Sequence, residues 1–179
     1  PMPQSSPSAT SRLADSVSPR LWIQRLAVYE SVNPLALLRE VAFTCGLNII
    51  TGEDKNGTGF GGHSVGKTTW CRLLRYLLGE ANYGTKKYQE KIGANFPDGW
   101  VAAEVWIQDN LWAIAKPLSN NKRFAPRAVK NATVDKLFVD FSAEDSTFSQ
   151  YLQELNALLP PFVGLPGFSP TWQHLLAWL

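Results

Sequence analysis

Two cysteines in 179 residues, Cys45 and Cys71, are too few for a disulfide framework and lack the paired spacing of a zinc site. Both fall within apolar runs, so they are expected to be buried small hydrophobes in a reducing compartment. Excess charge is also missing: 17 Lys and Arg against 15 Asp and Glu leave a formal net charge of +2. No whole-chain field therefore announces a nucleic-acid or membrane partner, and such a partner has to be argued from a local patch. No apolar run approaches the ~20 residues of a membrane span. The opening PMPQSSPSATSRLADSVSP has no stretch apolar enough for the core of a signal peptide, and its Ser and Pro content reads as a flexible leader over 1–19. A Ser-rich, Arg-containing start resembles a transit peptide, but Asp15 and the prolines count against that. These absences predict a soluble, cytoplasmic chain without a membrane partner.

Apolar bulk, by contrast, is plentiful: 45% of the chain is hydrophobic, with seven Trp and nine Phe, enough for one domain with a real core over 20–179. From Leu21, LWIQRLAVYES mixes aromatic and β-branched residues in alternation, and LREVAFTCGLNIITG then runs to Gly52. Both segments predict strands, with Asn33-Pro34 at the turn between them. The second is nearly all apolar from Leu47 to Ile50, the pattern of a core strand covered on both faces. Further on, Cys71, Leu74, Leu77 and Leu78 recur at helical steps with Arg72 and Arg75 between them, predicting an amphipathic helix closed by Gly79.

Between that strand and that helix lies TGEDKNGTGFGGHSVGKTTW. Glycine weakens both helices and strands, so a cluster of it serves a backbone path that side chains would block. Gly61-x-x-x-x-Gly66-Lys67-Thr68 fits the phosphate-loop pattern without a mismatch, in the strand, loop and helix context the motif requires. Gly61, Gly62 and Gly66 let successive N–H groups point into one concavity, and the helix behind them adds partial positive charge. In such a cradle Lys67 is the catalytic side chain, reaching the β- and γ-phosphates, while Thr68 places its hydroxyl on Mg²⁺ and Thr69 faces the α-phosphate side. His63, Ser64 and Val65 form the variable interior. EDKNGTGFG makes the loop longer than a compact cradle needs; an inserted lobe, a partner-contacting hairpin and a disordered excursion all fit.

The order of strand LWIQRLAVY, strand REVAFTCGLNIITG, phosphate loop, helix CRLLRYLLGE and a two-stranded segment resembles the N-terminal lobe of an ABC-type ATPase head. Within that superfamily it is most similar to the SMC-like branch of chromosome-maintenance, DNA-repair and phage-defence ATPases. The resemblance covers 20–118 and implies an α/β P-loop NTPase fold, with a mixed sheet, an antiparallel β arm and a helical C-terminal segment. It implies ATP with Mg²⁺ as the bound nucleotide, and an antiparallel sheet over the base and ribose. The two-stranded segment is GWVAAEVWIQDNLWAIAKPL, where Val101, Ala103, Val105 and Ile107 alternate with Ala102, Glu104, Trp106 and Gln108 before a tight turn at Asp109-Asn110.

Lys116, Lys122, Arg123, Arg127 and Lys130 then crowd one polar stretch, with Phe124 available to stack, which reads either as a contact to DNA phosphates or nucleotide or as a solvated loop. In KLFVDF, apolar residues lead to Asp140, a candidate Walker B acid if they form a buried strand. Phe141 follows where SMC-like enzymes place a catalytic Glu, which favours a structural Asp140. The tail predicts a helix over 148–159, a Pro-Pro break, and a second helix from Ser169, with Ser169 as cap and Pro170 in the first position. That second helix carries Trp172, Leu175, Leu176 and Trp178, with Gln173 and His174 as ordinary helix residues.

ABC-type heads complete their site with a Leu-Ser-Gly-Gly-Gln-type signature on an opposing head, and neither that signature nor a coiled coil occurs here. The expectation is therefore an incomplete head, with ATP bound by this lobe and hydrolysis completed by a second ATPase head, a C-terminal lobe or a partner chain, in DNA repair or defence. Two other readings stay open. One is a self-contained small P-loop NTPase or kinase using Asp140, although no guanine-selective Asn-Lys-x-Asp tetrad is present. The other is a module in which nucleotide only gates assembly.

Overall fold

The computed structural model describes residues 19–49, 66–119, 124–139 and 147–159. Strand β1 (Leu21–Val32) turns at Asn33-Pro34 into β2 (Leu35–Ala42), and two helices follow, α1 (Lys67–Leu77) and α2 (Lys86–Asn95). Next come β3 (Trp100–Ile107), β4 (Asn110–Pro117) and β5 (Arg127–Lys130), then helices α3 (Val134–Val139) and α4 (Phe148–Ala157). The strands form one five-stranded sheet in the order β2-β1-β3-β4-β5, with each neighbouring pair antiparallel. The structure is thus α/β in content, but the mixed sheet expected from the sequence is not seen: no strands pair in parallel among the described residues.

The expected core strand is the reason for the difference. Pairing of β2 with β1 stops at Arg25 opposite Ala42. Gly46 then takes a left-handed φ of 116°, and the Asn48 amide accepts from the Thr44 N–H at 2.9 Å and donates to the Thr44 carbonyl at 2.7 Å, closing a loop off the sheet edge. Leu47 and Ile49 are consequently 88% and 75% exposed. Cys45 in this loop and Cys71 on α1 are also exposed, so neither is the buried hydrophobe expected.

Helix α1 ends, as expected, just before the left-handed Gly79, but its buried residues are Trp70, Leu73, Tyr76 and Leu77. The large rings at 70 and 76 turn the packed face away from Cys71. Helix α2, which the sequence reading missed, is capped by the Thr85 hydroxyl accepting from the Tyr88 N–H. The β3–β4 hairpin forms as expected with its two-residue turn one step earlier, at Gln108-Asp109, where Gln108 adopts a φ of 54°. Residues 134–139 form α3 rather than the buried strand that would carry Asp140 at its end; Asp140 itself lies outside the described residues. Helix α4 carries a full capping box between Thr147 and Gln150. The expected leader up to residue 18 and the residues of the expected second tail helix also fall outside the described residues.

Alternation along β3 and β4 divides the core in two. Val101, Ala103, Val105, Ile107, Trp112 and Ile114 pack with Leu26 beneath α1 and α4. On the other face Ala27, Tyr29, Trp100, Ala102, Ala113 and Ala115 meet Val134, Leu137 and Phe138 of α3, the alanines leaving room for close approach. One cation sits inside the first layer. Lys116, expected on a basic surface, is only 6% exposed, and its ammonium donates to the carbonyls of Tyr76 at 3.0 Å and Glu80 at 2.8 Å, 3.6 Å from the centre of the Tyr76 ring. It closes the C-terminal end of α1, where a cation is electrostatically favoured.

Burial pushes the Lys116 ammonium down to about 8, against an upward pull from Glu80. From about pH 8 towards the ordinary 10.5, the unfolded chain holds a proton that the folded chain has released, so stability rises with pH. Above pH 10 burial acts in the opposite sense through Tyr76, which keeps its proton to about 12 only when folded, so stability falls again. Urea unfolding should show a climb of ~2 kcal/mol between these limits and then a decline. In Lys116→Met the climb should be absent.

Candidate functional site

Gly66 precedes α1 in a left-handed conformation, φ 73° and ψ 19°, and Lys67 is the first helical residue. The first helical hydrogen bond runs from the Trp70 N–H to the Gly66 carbonyl at 2.9 Å, so the N–H groups of Lys67, Thr68 and Thr69 come before the ladder begins. Gly66, at the cap position, offers no side chain to cap this end, and no acidic residue lies in the first turn. Lys67 and Thr68 are exposed beside it. N–H groups ahead of the ladder, the positive end of the helix dipole and a lysine on one short turn are suited to an oxyanion. Gly61, Gly62, His63, Ser64 and Val65, with the long segment before them, lie outside the described residues.

The opposite end of α1 is tied down. Besides the Lys116 contacts, Tyr151 donates to the Leu77 carbonyl at 3.3 Å, and Tyr76 donates to the Pro117 carbonyl at 3.0 Å. The helix is therefore fixed against β4 and α4 at the end away from Lys67.

Thr69 behaves differently from Lys67 and Thr68. It is half-buried, and its hydroxyl pairs with the Tyr88 hydroxyl at 3.0 Å, leaving the backbone N–H as its group for an anion. Thr69 and Gly66 also line a pocket of about 350 Å³, whose other walls include Trp70, Tyr83, Tyr88 and Phe96. Burial raises the Tyr83 hydroxyl above its ordinary value, and this group donates to the Leu118 carbonyl at 2.5 Å. Much of this wall comes from α2 and the residues before it. The signal for it in the sequence is Thr85 as a cap, followed by Tyr88 and Ile92 four residues apart.

Comparison with protein-family models, with curated proteins and with solved structures found no match to this chain. The chemistry of the site rests on its own geometry and on the motif.

The proposed basic patch does not assemble among the described residues. Lys116 is buried, and Lys130 pairs with Glu154 at 2.7 Å. The half-buried Arg127 guanidinium lies 5.8 Å over the Trp100 ring, and burial pushes it below its ordinary value. Phe124 packs edge-on against the same ring at 5.6 Å rather than standing free to stack. Lys122 and Arg123 lie outside the described residues. No cluster of three His, Cys, Asp or Glu able to hold a metal occurs among the described residues, so Mg²⁺ at this helix would depend on Thr68 and on phosphate oxygens.

A Cβ added at Gly66 would meet no atom of the described residues within 4 Å, so its cost isolates the backbone. Gly66→Ala should lower stability by about 1 kcal/mol through left-handed strain alone, read as a shifted urea midpoint with an unchanged slope.

Proposed function

We propose that this chain is a nucleotide-binding lobe that holds Mg-ATP at the N-terminus of α1 through a Walker A phosphate loop, Gly61 to Thr69. The observation that carries the reading is the coincidence of motif and backbone: the helix starts at the motif lysine, behind a left-handed motif glycine, with no acidic residue in its first turn. Lys67 neutralises the β- and γ-phosphates, Thr68 contributes a hydroxyl to Mg²⁺, and the N–H groups of residues 67–69 face phosphate oxygens. When bound, Mg-ATP supplies the metal and the scissile phosphoanhydride. The neighbouring pocket of about 350 Å³, lined by Tyr88 and Phe96, has room for a nucleoside.

The finer assignment, an SMC-like P-loop ATPase lobe of the DNA-repair or defence kind, draws its support from the order of segments and the motif. Completion by a second head, C-terminal lobe or partner chain is supported by the absence of a Leu-Ser-Gly-Gly-Gln-type signature in this sequence. The self-contained alternative is weakened because the residues leading to Asp140 are helical.

Lys67 is exposed, so Lys67→Ala should leave the circular dichroism spectrum and urea midpoint unchanged while weakening a fluorescent ATP analogue at least tenfold with Mg²⁺ present. Retained affinity in that variant would refute the site.

A further inference from the structure

The pocket of about 350 Å³ beside α1 shares Gly66 and Thr69 with the turn that precedes the helical ladder. In a phosphate loop Thr69 is the residue on the α-phosphate side, so on the function proposed above, which this inference rests on, the nucleoside leaves the phosphates at the pocket. Two of the pocket's rings, Trp70 and Tyr83, are only 7% and 2% exposed, whereas Tyr88 and Phe96 are half-buried and keep ring surface for a ligand.

The polar groups of the wall are already engaged. The Thr69 and Tyr88 hydroxyls pair with each other, the Tyr83 hydroxyl donates to the Leu118 carbonyl, and the Gly66 carbonyl accepts from the Trp70 N–H. Among the described residues no carboxylate, side-chain amide or imidazole lines the pocket. Adenine and guanine differ in the amino group or carbonyl on one ring carbon, and an adenine amino group finds no dedicated acceptor in this wall. Arg39, the one charged side chain there, is exposed and can only donate, and N7 is an acceptor on both purines.

We infer that this pocket holds a purine by its ring faces, so that the site takes purine nucleoside triphosphates as a class, ATP and GTP alike. Stacking on Tyr88 and Phe96 is indifferent to exocyclic groups because every base has a π face, and it grows with ring area, which favours purines over pyrimidines. A site built to hydrogen-bond one base would discriminate far more sharply, since its buried polar groups would be left unpaired by the other.

The test is isothermal calorimetry on the full chain with the Mg²⁺ complexes of ATP, GTP, CTP, UTP and tripolyphosphate. ATP and GTP should bind within about fivefold of each other, CTP and UTP at least about threefold more weakly than either, and tripolyphosphate at least about tenfold more weakly than ATP. Phe96→Leu and Tyr88→Leu keep the wall apolar but each removes a ring; at least one should weaken ATP and GTP about fivefold with tripolyphosphate unchanged. The series on the unaltered chain decides the matter should either variant fail to fold. A larger gap between ATP and GTP in either direction, pyrimidines as tight as purines, or full ATP affinity in both variants would overturn the inference. Tripolyphosphate as tight as ATP would overturn it while leaving the phosphate site standing. No binding of any nucleotide or of tripolyphosphate would overturn both.

Discussion

Strand β3 is buried on both faces, and each face calls for a different cover. Branched and aromatic residues on one side take α1 and α4; alanines and two aromatic rings on the other take α3. The exception inside this strand is Glu104, 3% exposed, which cannot remain charged there without partners. It accepts from the Val134 N–H at 3.1 Å, at the start of α3, and lies 3.7 Å from Arg25. Arg25 also pairs with Glu40 of β2 at 2.7 Å and Asp135 of α3 at 3.0 Å. Burial opposes its charge, but the hydrogen bonds to Asp135 and Glu40 outweigh it and raise the guanidinium above its ordinary value. One polar cluster thus fixes two strands and a helix to β3, and the sheet it stabilises is the base on which α1 rests.

Helix α1 carries the functional reading because its two ends are treated differently. At the C-terminal end, the Lys116 ammonium and the Tyr151 hydroxyl occupy carbonyls that a helix otherwise leaves open. At the N-terminal end, the N–H groups of residues 67–69 precede the helical ladder, and the cap position, Gly66, has no side chain to offer them. A helix anchored by a buried cation at one terminus holds the donors at its other terminus in fixed positions, and such pre-organised donors bind an anion with little reordering cost.

The hairpin of β3 and β4 was legible because a period of two survives in Val101, Ala103, Val105 and Ile107. Its turn slipped by one residue because Gln108, not Asn110, takes the left-handed position. The helix start at Lys67 was legible for a related reason: glycine followed by a polar turn and then Trp70 and Leu73 leaves few alternatives. Leu47 to Ile50 misled, since a short apolar run does not say which layer covers it, and Gly46 with Asn48 turns the chain off the sheet edge first. Lys116 was illegible in principle. A lone lysine after the apolar Ile114 and Ala115 reads as the polar end of a strand, and only the crossing of β4 beneath the end of α1 makes it an interior cap. The same holds for Lys130, whose partner Glu154 comes from α4.

The most direct measurement is of the backbone N–H resonances of Gly66, Lys67, Thr68 and Thr69 during titration of the full chain with Mg-ATP. Nucleotide phosphates at the end of α1 predict large, saturable downfield shifts at these residues, reproduced by Mg-tripolyphosphate, with those of α4 unmoved. Saturable ATP binding with these four resonances unchanged, or no binding at all, would contradict the account.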